Sequence, residues 1–89
     1  MWEFHTFMKK TREDAPLNDV GPSIRKIRLA SKEKISQQDL AGRLAARGVS
    51  LDRSAVSRIE NQERGLLDYE LIAIARSLKV PPSDLLPES

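Results

Sequence analysis

At 89 residues the chain has room for one small core, and its 39% apolar and 31% charged residues suit a soluble globular domain rather than a disordered segment. No run approaches the roughly 20 apolar residues of a membrane span, and no basic stretch precedes a long apolar one as in a secretory leader. The absence of cysteine removes disulfides, thiolate nucleophiles and sulfur-ligated zinc, and agrees with a cytoplasmic setting.

The net charge of +2 is unevenly spread. Residues 21–64 hold ten Lys and Arg against five Asp and Glu, a local balance of +5, so the two flanks together carry −3. A basic middle of this kind suits a polyanionic partner.

In chain order, residues 1–20 show no helical period and hold three of the four aromatic residues, Trp2, Phe4 and Phe7; they read as an arm. Residues 22–33 open on Pro22 and Ser23, favourable in a first turn, and set Ile24, Ile27 and Ala30 at helical spacing. Ser36 is placed to cap a second helix whose Leu40, Ala41, Leu44 and Ala45 form one stripe, with Gly48 as a left-handed terminator. Asp68 is placed to cap a fourth helix with Leu71, Ile72, Ala75 and Leu78 inward. Pro82, Ser83 and Asp84 open a last turn in which Leu85 and Leu86 close the core. Five short helices make an all-α domain. There is no internal repeat and no low-complexity segment.

The third helix lies in LDRSAVSRIENQER, residues 51–64. Asp52 as N-cap accepts from first-turn N–H groups, and Leu51 and Val56 then occupy the two positions of a hydrophobic staple. At 100° per residue, Ala55, Val56 and Ile59 share one side while Arg53, Ser54, Ser57, Arg58 and Asn61 share the other. Arginine presents two parallel donors to guanine, asparagine can bond adenine bidentately, and serine permits close approach. The same composition also suits a merely solvated face, and the pattern alone leaves both readings open.

SQQDLAGRLAARG, SAVSRIEN, DYELIAIARSLKV and PPSDLL occur in that order, and together they resemble the helix-turn-helix domain of the Cro and phage-repressor family, the xenobiotic-response-element type. The likeness covers about residues 21–86, which leaves 1–20 as an arm and 87–89 as a tail. It implies a compact five-helix bundle whose second and third helices form the DNA-binding unit, with the third, about residues 52–61, in the major groove. By the same likeness Gln37 matches the amide that anchors a phosphate or supports a base contact, and Gln38 beside it joins the DNA-binding set. Arg53, Ser54 and Arg58 match base-facing positions, with Ser57 between them. Asn61 and Arg64 match the loop that grips the backbone, and Arg28 and Glu60 match a family ion pair. The plainer alternatives are a solvated helix-end acid for Glu60 and an ordinary first-turn residue for Gln37. The chain departs from the family pattern in a longer interval between Leu40-Ala41 and Ile59, to be absorbed by a longer second helix and a looser turn, and in a longer LASKEK stretch.

Catalysis finds no constellation. His5 has no second ligand or positioned acid beside it in sequence, and Ser54 and Ser57 have no histidine to activate them; a glycine-rich phosphate loop is also missing. The expectation is a sequence-specific regulator of transcription without cofactor or metal, a repressor or a controller of a mobile-element or defence operon. It would act in the cytoplasm at the nucleoid, as two copies on a pseudo-palindromic operator of double-stranded DNA. Control would come from concentration, a partner protein or operator arrangement. Leu66, Leu67 and Tyr69 are first candidates for a homodimer surface, with core packing as their alternative role. The rival class is an antitoxin-like or adaptor module that uses the same scaffold to hold another protein.

The arm itself opens on MWEFHTF, and three readings of it stand. It is a non-native or upstream start with Met8 the true initiator, an arm bringing Lys9, Lys10 and Arg12 to the DNA backbone, or a strand in which Trp2, Phe4 and Thr6 alternate and pair with a second copy.

Overall fold

A proline fixes the first turn of the first helix, and a side chain from upstream caps it. In a computed structural model, which describes residues 15–87, α1 spans Gly21–Ala30 with Pro22 in its first turn. The cap position, Val20, has no side-chain acceptor; instead the Asn18 Oδ1 accepts from the N–H groups of Val20 and Gly21 at 3.0 and 2.7 Å. The helix stops at Ala30 rather than at residue 33, because Ser31 turns extended and its hydroxyl accepts from the Glu33 N–H, while Lys34 takes a positive φ of 54°. The MWEFHTF readings fall outside the described residues.

Capping chemistry sets the next two helices. α2, Gln37–Ala46, begins on a reciprocal pair: the Ser36 hydroxyl accepts from the Asp39 N–H and the Asp39 carboxylate from the Ser36 N–H. The Ser36 donor holds the Asp39 carboxyl below its usual range. α3, Arg53–Glu60, is capped by Asp52, whose carboxylate accepts from the Ala55 N–H at 2.8 Å, and the staple residues Leu51 and Val56 are both buried. The expected cap of α4, Asp68–Ser77, is displaced by one residue: Leu67 holds the cap position, Asp68 is already helical, and the Glu70 carboxylate reaches back to accept the Leu67 N–H.

Three helices end alike. After α2, α3 and α4 the chain takes a left-handed residue, Gly48, Gln62 and Lys79, with φ of 83°, 63° and 63°. In each case the next N–H closes back on the helix: Val49 on the Leu44 carbonyl, Glu63 on Arg58, Val80 on Ala75. Only the first of these positions carries the glycine that the conformation favours.

The fifth helix expected from PPSDLL is instead a single 3-10 turn, Pro82–Leu85. Pro87 follows at once, lacking the next N–H and favouring the extended conformation that Leu86 adopts, so no α-helical ladder can develop. The described residues thus form four α-helices and one 3-10 turn, with no strand among them.

α2 packs on α3 and α4, α1 on α3, and the 3-10 turn closes against α1 and α4. Ile24, Leu40, Leu44, Val56, Ile59, Ile74 and Leu85 are the largest fully buried side chains at the centre. Four residues expected inside are exposed: Ala30, Ala45, Ile72 and Leu86. Ile72 lies about 200° around the helix from Ile74, and the core takes Ile74, Ala75 and Leu78. The connection Arg47–Asp52 is not loose, because Val49 and Leu51 within it are buried in the core.

Candidate nucleic-acid interface

Burial divides α3 into two sides. Val56, Ile59 and Glu60 face inward, whereas Arg53, Ser54, Arg58 and Asn61 are exposed and Ser57 is half-buried. Among the described residues neither Arg53 nor Arg58 has an acidic partner. Two guanidinium groups, two hydroxyls and an amide therefore stand on one face of a helix whose other face is welded into the core. A rigid element that presents such donors is what base-edge reading requires.

The C-terminal end of α3 is held by a buried polar network. Arg28 from α1 donates Nε to Glu60 Oε2 and Nη2 to Glu60 Oε1, at 2.6 and 2.8 Å, and its Nη1 donates to the Ile35 carbonyl at 3.0 Å. The bond to Glu60 raises the Arg28 pKa against the opposing effect of burial. Gln37 adds a fourth strand to the knot by donating its Nε2 to Glu60 Oε1 at 3.0 Å. The Arg28–Glu60 pair thus joins α1, the loop after it, the first residue of α2 and the last of α3.

Gln37 and Arg64, both read as DNA contacts in sequence, are engaged within the protein. The Gln37 amide is anchored to Glu60, while the neighbouring Gln38 is exposed at the edge of an open hollow of about 530 Å³ between α2 and the start of α3. Arg64 donates from both terminal nitrogens to the Glu70 carboxylate, at 3.0 and 3.2 Å, and from Nη1 to the Gly65 carbonyl. That pairing holds the buried Glu70 carboxyl below its usual range, with the Leu67 N–H helping. The Arg64 charge is therefore matched locally, whereas Arg53 and Arg58 have no acidic partner among the described residues.

Two residues that hold α3 in place escaped the sequence reading. Asn18, assigned to the arm, donates its Nδ2 to the Ile59 and Arg64 carbonyls. Gly21 passes so close to the end of α3 that a Cβ there would overlap the Ile59 carbonyl oxygen and lie 2.9 Å from that of Glu60. A signal for both was present in NDVGP, where an Asx residue and a glycine stand just ahead of a helix-starting proline.

Of the remaining basic residues, Arg43 and Lys79 share Glu33 on the surface. Among the described residues no helix is long and apolar enough to cross a membrane, and no group of three or more His, Cys, Asp or Glu is placed to hold a metal.

Comparison with known proteins gives a consistent result. The helix-turn-helix family model matches residues 24–85, from the first buried isoleucine of α1 to the leucine of the 3-10 turn. The crystal structure of the restriction-modification controller protein C.AhdI from Aeromonas hydrophila is similar, with 28% identity and a TM-score of 0.67. The alignment covers 85% of this chain and 100% of that one. No curated protein matches the chain.

Proposed function

The chain belongs to the helix-turn-helix family, of the Cro and phage-repressor type, which binds DNA sequence-specifically and regulates transcription, and from that premise we propose that α3 is its recognition helix. Arg53, Ser54, Ser57 and Arg58 face the base edges in the major groove, and Asn61 and Gln38 meet the flanking backbone. The observation that carries this reading is a pair of exposed arginines, Arg53 and Arg58, without an acidic partner among the described residues, on a helix whose far end is locked by the Arg28–Glu60 bond. Gln37 and Arg64 support the interface by orienting Glu60 and the loop after α3, with Gln37 also next to the phosphate path.

The protein acts in this reading as a repressor or controller of its own or a neighbouring operon, a role favoured by its likeness to a restriction-modification controller protein. A single recognition helix reads few base pairs, so two copies bind a pseudo-palindromic site, at least on DNA. Leu67 and Tyr69, 56% and 58% exposed, are the candidates for the surface between copies, whereas Leu66 packs against the core.

Selection of duplexes from a random pool, followed by titration of the winner at several salt concentrations, tests the proposal. A common sequence with two related half-sites is expected, bound with an affinity that falls steeply with salt as counterions are released. Enrichment of no sequence, or an affinity indifferent to salt, would return the chain to the class of protein-interaction modules.

A further inference from the structure

Asn18 lies ahead of every described helix and outside the segment that matches the family. Its carboxamide is nevertheless fully engaged. Oδ1 accepts from the N–H groups of Val20 and Gly21, at 3.0 and 2.7 Å, and Nδ2 donates to the carbonyls of Ile59 and Arg64, at 3.0 and 2.8 Å. Gln62 closes the same joint from the other side. Its Nε2 donates to the Asn18 carbonyl at 3.0 Å, and its own carbonyl accepts the Leu17 N–H at 3.0 Å.

The positions of these bonds matter more than their number. The Ile59 carbonyl is one of the last in α3 and also accepts the Gln62 N–H at 3.0 Å, and Arg64 lies beyond the left-handed Gln62 that turns the chain away. Asn18 therefore spans the whole turn, with Asn61 inside the span, and ties both of its ends to the first turn of α1. The Gly21 backbone beside it leaves no room for a side chain against the end of α3, so the two helices cannot separate or slide there without breaking the clasp.

We infer that Asn18 is a positioning residue for sequence reading: it sets the end of α3 and the Asn61–Arg64 turn against α1, so that a segment outside the helix-turn-helix unit fixes the angle of the base-facing side chains. This rests on the role proposed above for α3. Asparagine is suited to the task because it combines an acceptor with two lone pairs and a donor with two hydrogens on one short side chain. Aspartate in its place keeps both bonds to the start of α1 but turns a carboxylate oxygen toward two carbonyl oxygens, which opens the clasp on the α3 side alone.

The test compares wild type, Asn18→Asp, and the control variants Leu85→Val and Leu85→Ala. Leu85 is fully buried in the 3-10 turn, and its variants bracket the loss of Tm without touching the clasp. All measurements are made well below the lowest Tm. Two readouts are taken, amide hydrogen exchange at Gln62 and Glu63 and the ratio of affinities for a selected duplex and its shuffled counterpart. Asn18→Asp is expected to speed exchange at the two amides well beyond the controls, and to lower the affinity ratio by about fivefold or more, the scale of one misplaced base contact. The controls leave the ratio unchanged. Exchange no faster than in the Leu85 variants overturns the inference, as does faster exchange with an unaltered ratio. A wild type that prefers no duplex refutes the reading of α3 instead, and the clasp then stands or falls on the exchange rates alone.

Discussion

Arg28 and Glu60 meet in a two-bond fork, Nε to Oε2 at 2.6 Å and Nη2 to Oε1 at 2.8 Å, with side chains only 8% and 1% exposed. The fork lies between the first helix and the last residue of α3, so whatever α3 touches is oriented in part by a pair almost wholly shielded from solvent. Planar matching makes arginine the appropriate cation here; a lysine would supply the charge without the second parallel bond.

Removing one member of this pair strands the other. Glu60→Ala is expected to cost about 3–5 kcal/mol in urea unfolding, because Arg28 keeps a buried charge with only the Ile35 carbonyl to satisfy it. The double variant Arg28→Met, Glu60→Leu should recover much of that loss, giving a strong coupling in a double-mutant cycle. Small and additive effects would place both residues functionally at the surface.

The left-handed helix ends yield a contrasting pair of substitutions. Lys79 has a positive φ and its amine reaches only an exposed partner, Glu33. Glycine there relieves about 1–2 kcal/mol of backbone strain and returns about 0.4–1 kcal/mol through the more flexible unfolded chain. Lys79→Gly should therefore stabilise the domain by about 0.5 kcal/mol. Gln62 has the same φ of 63°, but its amide also bonds the Asn18 carbonyl, so Gln62→Gly should gain nothing or lose stability. Equal gains at the two positions would show that the Gln62 bond carries no weight.

These details mark where the sequence could be read and where it could not. Ser36, Asp52 and Gly48 act within a few residues of their own positions, through caps and a left-handed turn, and a local pattern is enough to find them. The outward set on α3 follows from helical period in the same way. Asn18 acts across the chain, bonding residues 59 and 64. No period or cap rule reaches over such intervals. Ile72 and Leu86 were misplaced for a related reason, since each adjoins a truly buried position and only packing decides which neighbour goes in.

Acid should loosen the loop after α3 through Glu70. Its carboxyl sits below the usual range because Arg64 donates to it, so the unfolded chain takes up that proton more readily than the folded one. The resulting stability is fully present above the unfolded value of about 4.3 and is lost as pH falls through the folded value. Glu70→Gln should cost about 1 kcal/mol at pH 7, and the gap between wild type and variant should close progressively below about pH 4. A gap that stays constant down to pH 3 would mean that the Arg64 pairing contributes nothing.

Arg58 gives the most direct access to the central claim that the exposed face of α3 reads base sequence. Binding of wild type and Arg58→Ala to a selected duplex and to random DNA, at one fixed salt concentration, separates reading from gripping. A bidentate base contact predicts a loss of about 1–3 kcal/mol on the selected site with little change on random DNA. Equal losses on the two would contradict the account, because they would show Arg58 holding the backbone alone.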